Sequence, residues 1–262
     1  MANNLQPPSA NIFAGLKLTI YSVGSANDIE AKGPFGIWYF DAGLPYGGKK
    51  ALPASADVFF LTHWHTDHYS IFLNAKNAFY NFVSPPISKT SKSLIIFVSQ
   101  LKAMSLPQNH CFFTNQALGA FMQNHKQVSI QRTLGNSANP NNCGLIYILD
   151  VSGLSVTYSP SGNSMKALGP FVLPGDASED AIPNPGVPWA FLLIPHHGSP
   201  NSLALQASVF SANHTLFPAL FCSTGHPNAY CSLAKGRYSS GNQCFWESTG
   251  SNGGKNIVLT FQ

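Results

Sequence analysis

Residues 57–68 read DVFFLTHWHTDH, and this stretch decides the fold. The apolar run at 58–61 is typical of a β-strand buried on both faces, as in a parallel sheet. Side chains that bind metals follow the run at once, namely His63, His65, Asp67 and His68. Alternate side chains of an extended segment point to the same side, so His63 and His65 would face one position. A turn after them would bring Asp67 and His68 to a second position nearby.

Imidazole and carboxylate groups are common protein ligands for Zn²⁺, Mn²⁺ and Fe²⁺. A single histidine on an apolar strand is more often a hydrogen-bonded core residue than a ligand. Four ligand-type side chains within six residues, directly after a buried strand, favour a metal site instead.

The second half of the chain repeats this design, in which a short apolar strand ends at a potential ligand. The pattern occurs before Asp176, before the adjacent His196 and His197, and before His226. Rigid strands in α/β proteins hold functional loops at their ends. We therefore expect all these side chains to share one site.

Further segments have the composition of regular structure. Strands are predicted at residues 16–23, 35–40, 94–98, 145–151, 154–158, 171–173, 190–194, 216–222 and 257–261. Helices are predicted at residues 70–82 and 117–125. No linker or low-complexity stretch interrupts the sequence, so we expect a single domain spanning residues 1–262.

The composition is that of a globular protein with a weakly charged surface. Hydrophobic residues make up 44% of the chain and charged residues only 9%, against about 25% charged in typical domains. No run of 18 apolar residues exists, so we expect a soluble protein without a transmembrane segment. The polar N-terminus does not have the pattern of a secretory signal peptide. Compartment and oligomeric state stay open.

The net charge is +4, from 14 basic and 10 acidic residues that are scattered along the chain. Proteins that bind long nucleic acids usually carry a basic stripe that neutralises several phosphates. The sequence shows no such stripe, which argues against a long DNA substrate. A small phosphoester remains compatible with this composition.

The pattern His-x-His-x-Asp-His after an apolar strand resembles the signature of the metallo-β-lactamase superfamily. That family folds as a four-layer αββα sandwich, an α/β architecture, and commonly binds two metals in the cleft between its sheets. Its Asp-x-Gly turn has a counterpart in Asp41-Ala42-Gly43, and its bridging aspartate in Asp176. The resemblance spans roughly residues 16–261.

A second motif narrows the resemblance. Residues 194–199, IPHHGS, resemble the Pro-His-His-Gly-Ser motif of the hydrolase domain of the competence protein ComEC, which serves DNA internalisation. Gly225-His226-Pro227 and the pair Asn141-Asn142 resemble two further elements of that group. His65 departs from it, because competence-type domains usually have Asp there. Asn142 also stands near the place of a histidine that the superfamily usually has.

The resemblance implies two divalent metal ions, Zn or Mn. His63 and His65 would bind one ion, Asp67 and His68 the other, and Asp176 would bridge them. Either His196 or His197 would complete the second site, and the sequence leaves open which. The other histidine would face the substrate or donate a proton.

The implied catalytic residues are Asp67, His197 and His226. His226 would bind a substrate oxygen or protonate the leaving group. We expect Asp41 to orient a ligand histidine rather than to bind metal itself.

The predicted function is that of a metal-dependent hydrolase, phosphodiesterase-like or nuclease-like, in which a metal-bound hydroxide attacks phosphorus. Single-stranded DNA, a nucleotide or a choline ester are the candidate substrates. A carbonyl hydrolase, such as a lactonase, thioesterase or β-lactamase, is an alternative on the same fold. A binding module that has lost catalysis is a third reading, because Asn142 would leave a poorer ligand set.

Overall fold

Short apolar strands pair into two β-sheets in the computed structural model of the chain. The structure describes residues 11–23, 27–44, 56–74, 79–87, 92–103, 111–113, 118–120, 128–133, 143–159, 161–177, 182, 190–198, 219–222, 245–248 and 256–262. Within these ranges it contains sixteen strands and one α-helix.

The first sheet has nine strands in the order β11-β10-β16-β1-β2-β3-β4-β5-β6. These strands are β1 (Lys17–Ile20), β2 (Asp28–Gly33), β3 (Gly36–Ala42), β4 (Ala56–Phe60), β5 (Phe79–Ser84), β6 (Cys111–Phe113), β10 (Ser155–Ser159), β11 (Ser164–Lys166) and β16 (Ile257–Phe261). Strands β3 to β6 run parallel to one another, and the other pairs are antiparallel.

The second sheet has seven strands in the order β15-β14-β13-β12-β9-β8-β7. They are β7 (Leu118–Ala120), β8 (Val128–Arg132), β9 (Leu145–Leu149), β12 (Phe171–Leu173), β13 (Phe191–Leu193), β14 (Ala219–Cys222) and β15 (Phe245–Ser248). Strands β12 to β15 are parallel. The carboxyl ends of these parallel strands therefore lie at one edge of the sheet.

One hydrophobic core lies between the two sheets and takes alternate residues from both. Phe40 and Phe60 of the first sheet stack with ring centroids 4.8 Å apart, and Phe60 meets Tyr147 of the second sheet at 5.1 Å. The outward residues Ile146 and Val172 of the second sheet are buried as well. The predicted α/β sandwich is confirmed.

Helix α1 (Lys92–Ala103) covers the outer face of the first sheet. Leu94, Phe97 and Leu101 form its buried stripe, with the spacing of one helical face. The prediction of a strand at residues 94–98 was wrong. The run Leu-Ile-Ile-Phe-Val, rich in β-branched and aromatic residues, favours a strand locally, but burial of every third or fourth residue selects the helix.

Two predicted helices also require correction. Residues 70–82 divide into a short 3₁₀ helix, Ser70–Asn74, and strand β5, which pairs in parallel with β4. Residues 118–120 of the segment 117–125 form strand β7, which pairs with β8. Tertiary strand pairing overrides the local helical preference in both segments. Strand β2 was not predicted, because its sequence DIEAKG is largely polar.

The remaining predicted strands are found close to their expected bounds, and β12 and β16 match them. No helix among the described residues is long and apolar enough to cross a membrane. The assignment of a single domain stays a prediction.

Candidate metal centre

The predicted ligands lie close together, at the ends of strands from both sheets. Strand β4 ends at Phe60, and the chain continues through Thr62 into His63. Strand β12 leads through Gly175 into Asp176, and β13 leads into a 3₁₀ turn, Pro195–Gly198. Backbone hydrogen bonds join these ends: Leu145 N donates to Thr62 O at 2.8 Å and His196 N to Gly175 O at 3.0 Å.

Two groups of three side chains at this edge could each hold a metal ion, their ligand atoms all lying within 4.8 Å of one another. The first group is His63, His65 and Asp176, and the second is Asp67, His68 and Asp176. Asp176 belongs to both groups. The structure thus brings together, in these two groups, five of the residues that the sequence predicted as ligands.

The two carboxylate oxygens of Asp176 face different histidines. Oδ1 lies 3.3 Å from His68 Nε2, and Oδ2 lies 3.6 Å from His63 Nε2. Oδ2 also lies 3.6 Å from His196 Nε2, which brings a sixth predicted ligand to the site. A carboxylate placed between two ligand groups in this way has the geometry needed to bridge two ions.

The site is buried on one side and open on the other. His63, His68 and Asp176 are at most 2% exposed. The side chains of Asp67 and His196 are 37% and 29% exposed. A substrate would therefore approach from the side on which Asp67 and His196 lie.

Burial and neighbouring charges shift the histidine pKa values in opposite directions. Burial, together with the nearby His68, lowers the pKa of His63 and of His65 below the ordinary value. Burial also disfavours the charged form of His68, but the carboxylates of Asp176 and Asp41 outweigh it and raise the His68 pKa well above 6.5. In the metal-free chain the carboxylates thus attract positive charge between them, where the second ligand group would hold a cation.

Asp41 fixes the orientation of His68. Its Oδ2 accepts a hydrogen bond from His68 Nδ1 at 2.7 Å, which turns Nε2 of the same ring towards Asp176. Asp41 also accepts hydrogen bonds from the backbone N and the hydroxyl of Thr62, each at 2.7 Å. This is the contact by which a carboxylate outside the ligand set selects a histidine tautomer.

Two residues of the centre have left-handed backbone conformations that glycine usually occupies. Asp41 has a φ of 57° and His196 a φ of 47°. Such conformations cost about 1–3 kcal/mol each and persist only where the surroundings hold them. For Asp41 those surroundings are its three hydrogen bonds with Thr62 and His68.

The donor set fits a divalent cation. His63 Nε2 is buried and has no hydrogen-bond partner among the described residues. Leaving a polar atom buried without a partner costs free energy, and a metal ion bound to the imidazole lone pair would remove that cost. Mixed histidine and carboxylate ligands suit Zn²⁺, Mn²⁺ and Fe²⁺.

Several predicted site residues fall outside the described part of the chain. They are Asn142, His226 and the side chain of His197. The structure does place Gly144 against the metal-binding segment, since a Cβ added to Gly144 would lie 2.5 Å from Thr62 O and 3.3 Å from His63 Cβ. Gly144, which directly precedes β9, thus lies beside His63 of the first ligand group.

Sequence reasoning missed Thr62, which contacts Asp41, His63 and His68 through one hydroxyl group. The available signal was a small hydroxyl-bearing residue between an apolar strand and the first ligand.

Several solved structures are similar to this chain at low sequence identity. They include CmlA, a diiron β-hydroxylase from Streptomyces venezuelae, with 10% identity and a TM-score of 0.48. The alignment covers 93% of this chain but only 54% of CmlA. The metallo-β-lactamase fold protein YhfI from Bacillus subtilis shows 12% identity and a TM-score of 0.45, covering 89% of this chain and 96% of YhfI.

An archaeal metallo-β-lactamase superfamily protein from Sulfolobus tokodaii shows 13% identity and a TM-score of 0.42. The alignment covers 87% of this chain and 86% of the archaeal protein. Neither a protein-family model nor a curated protein matches the sequence. At these identities and TM-scores the similarities give no information about the substrate.

Proposed function

We propose that this chain is a metal-dependent hydrolase that cleaves phosphodiesters with two divalent metal ions, Zn²⁺ or Mn²⁺. One observation carries the proposal: two groups of histidine and aspartate side chains share the carboxylate of Asp176. A shared carboxylate is the feature that separates a two-ion centre from two unrelated single sites.

Each residue of the centre would have a distinct role. His63 and His65 would hold one ion, Asp67 and His68 the other, and Asp176 both. Either His196 or His197 would complete the second group. The Nε2 of His196 lies 3.6 Å from Asp176 Oδ2, the oxygen that also faces His63. Two neighbouring divalent ions supply a lowered pKa for a shared water and positive charge for the oxygens of the group under attack.

Asp67, half open to solvent, and His197 would face the substrate. His226 would protonate the leaving oxygen, as the Gly225-His226-Pro227 motif suggests. Asp41 keeps His68 turned towards the centre and does not itself bind an ion. Burial of His63 and Asp176 excludes water from the inner side of the site, which strengthens the electrostatic interactions there.

The phosphodiester is preferred because of the motif at residues 194–199, which resembles the ComEC hydrolase domain. The absence of a basic stripe in the sequence favours a short substrate, such as a nucleotide, a choline ester or a short single strand of DNA, over a long duplex. No nucleic-acid surface needs to be assumed for the chemistry.

The first experiment is hydrolysis of bis-p-nitrophenyl phosphate by the full chain with added Mn²⁺ or Zn²⁺, and again with EDTA. The proposal predicts turnover that the chelator removes and that returned metal restores. Elemental analysis of the same sample for zinc, manganese and iron should give close to two equivalents. Positive turnover would justify tests on single-stranded DNA, nucleotides and choline esters.

Protein that contains two equivalents of metal but leaves the phosphodiester intact would contradict the substrate class. Lactone, thioester and β-lactam substrates would then be tested, because the same centre could stabilise the oxyanion of an attacked carbonyl. If the protein binds far less than one equivalent of metal even after metal is added, the proposal of a metal-dependent enzyme is contradicted and a binding module is favoured.

A further inference from the structure

Thr62 is the residue on which the parts of the centre converge. It follows Leu61 directly after strand β4 and is 3% exposed. Its hydroxyl oxygen lies 2.7 Å from Asp41 Oδ2, 3.1 Å from His63 Nδ1 and 3.4 Å from His68 Nδ1. Thus one buried hydroxyl contacts a histidine of each ligand group.

The roles of donor and acceptor at this hydroxyl follow from proton counting. A hydroxyl has one proton to donate, and an ionised carboxylate can only accept. At 2.7 Å from Asp41 Oδ2, the proton of Thr62 must lie on that line, because two oxygen atoms without a proton between them would repel. Towards His63 the hydroxyl oxygen is therefore the acceptor, so the proton of the His63 ring lies on Nδ1.

This assignment leaves the lone pair of the neutral His63 ring on Nε2. Nε2 is the atom that lies 3.6 Å from Asp176 Oδ2 and faces the centre. The proton on Nδ1 of His68 is fixed directly, since this nitrogen donates to Asp41. The carboxylate of Asp41 thereby orients both histidine rings, the His68 ring directly and the His63 ring through Thr62.

Gly175 packs closely against Thr62. A Cβ added to Gly175 would lie 2.6 Å from Thr62 Cβ and closer still to its hydroxyl oxygen. Gly175 has a φ of 60° and directly precedes Asp176. The Asp176 loop can approach only because position 175 is glycine, and Thr62 is the surface on which that loop rests.

We propose that Thr62 is a positioning residue that carries the orienting effect of Asp41 to His63 and holds the His63 ring with Nε2 free for a metal ion. The inference rests on the proposed metal centre but not on the phosphodiester substrate. It assigns to Thr62 the role in the first ligand group that Asp41 performs directly in the second.

The first test reads the His63 tautomer in the metal-free full chain. A long-range ¹H–¹⁵N correlation spectrum of the histidine rings distinguishes a proton on Nδ1 from one on Nε2, and comparison with a His63→Gln variant assigns the signals. The proposal predicts a His63 ring protonated on Nδ1 in the wild-type chain. A His63 ring protonated on Nε2 would overturn it.

The second test compares Thr62→Val, which keeps the shape and removes the hydroxyl, with Thr62→Ser, which keeps the hydroxyl. Competition with a chromophoric chelator for Zn²⁺ alone should show affinity lower by about 10- to 100-fold in Thr62→Val, the usual loss when an orienting partner of a ligand is removed. Thr62→Ser should bind Zn²⁺ nearly as tightly as the wild type. Thr157→Val, on strand β10, controls for the substitution itself.

Equal zinc affinity in Thr62→Val and the wild type would refute the role of Thr62. Should Thr62→Val fail to fold, judged by circular dichroism, the tautomer of the wild-type chain and the affinity of Thr62→Ser still decide the matter. Neither measurement involves substrate, so an inactive enzyme with the expected tautomer and affinity would count against the proposed substrate and not against Thr62.

Discussion

Asp176 belongs to both groups of side chains that could hold a metal ion, and its two oxygens face different histidines. We expect Asp176→Asn to abolish hydrolysis and to lower the zinc content from two equivalents. The amide keeps the shape of the side chain but has neither the negative charge nor the second acceptor oxygen. The loss of zinc affinity should exceed the roughly 10- to 100-fold that orienting residues contribute.

The measurement pairs elemental analysis with turnover of bis-p-nitrophenyl phosphate, and circular dichroism verifies that the variant is folded. Retention of two equivalents and of wild-type turnover by Asp176→Asn would show that no bridge exists. Asp150→Asn, at an exposed turn, serves as the matched control.

Asp41 accepts three buried hydrogen bonds, two from Thr62 and one from His68. In Asp41→Asn the amide nitrogen would have to face one of these donors. Because a buried donor then loses its partner, the free energy of unfolding of the metal-free chain should fall by about 1–3 kcal/mol. Zinc affinity should fall as well, since His68 loses its orientation.

Urea unfolding and chelator competition measure the two effects of Asp41→Asn. The control is Asp57→Asn, an exposed carboxylate that accepts one hydrogen bond, from Ile37 N at 2.8 Å. It should change stability by no more than about 0.5 kcal/mol, as is usual at the surface. Indistinguishable unfolding curves for Asp41→Asn and Asp57→Asn would contradict the buried network.

At the scale of the element, helix α1 packs against residues 63–69, which carry the first motif. Phe97 is buried and stacks on Tyr69 with centroids 4.9 Å apart, and it lies 6.2 Å from Trp64. Trp64 stands between the candidate ligands His63 and His65 and donates a hydrogen bond to Pro85 O at 2.7 Å. The helix is therefore joined to the ligands through an aromatic layer.

We expect Phe97→Ala to destabilise the chain by about 3–5 kcal/mol, because the cavity would remain between well-packed rings. Ile96→Ala, on the same helix but 45% exposed, should cost less than about 1 kcal/mol, mainly through the loss of exposed side-chain contacts. Urea unfolding of both variants compares the two faces directly. Similar losses at positions 96 and 97 would mean that α1 does not pack as described.

At the scale of the whole molecule, Tyr147 joins the two sheets. Its ring lies in the common core, and its hydroxyl donates to Leu61 O at 2.7 Å across the sandwich. Burial, aided by the charge of Asp41, raises the pKa of Tyr147 well above 10. The folded chain therefore keeps this proton at pH values where an unfolded tyrosine releases it.

It follows that the contribution of Tyr147 to stability is fully present below pH 10 and is lost as the pH rises above 10. Above pH 10 the free energy of unfolding of the wild type falls with pH, because unfolding releases the Tyr147 proton. Tyr147→Phe should reduce this slope by about 1.4 kcal/mol per pH unit. At neutral pH the variant should lose about 1–3 kcal/mol, because the Leu61 carbonyl loses its partner.

Urea unfolding at a series of pH values from 7 to 11 measures both effects of Tyr147→Phe. Tyr80→Phe, at a tyrosine that is 60% exposed, should leave the neutral-pH stability within about 0.5 kcal/mol of the wild type. An alkaline slope equal in Tyr147→Phe and the wild type would show that the hydroxyl is not buried.

Much of this molecule follows from local sequence. The α/β sandwich was expected from the resemblance of the His-x-His-x-Asp-His pattern to the metallo-β-lactamase superfamily. The continuous apolar run of β4 separately indicated a strand covered on both faces. The His-x-His-x-Asp-His segment needed no tertiary information either, since its ligands are neighbours in the chain. These features depend on residues within a few positions of one another.

Other features depend on partners that are distant in sequence. Residues 94–98 have the composition of a strand, yet the aromatic layer under the metal-binding segment makes them helical. Strand β2 is polar and is defined by pairing between β1 and β3. Local propensity is weak compared with burial and strand pairing, so neither assignment could be made from the segment alone.

The sequence by itself indicated the candidate ligand types, their spacing in the first motif and the strand that carries them. Only the tertiary structure decided that Asp176 lies between both groups, 113 positions after His63, and that the hydroxyl of Thr62 contacts Asp41, His63 and His68. The reason is physical. Ligand chemistry belongs to single side chains, whereas a distance between distant residues and the path of a proton exist only after the two sheets have packed together.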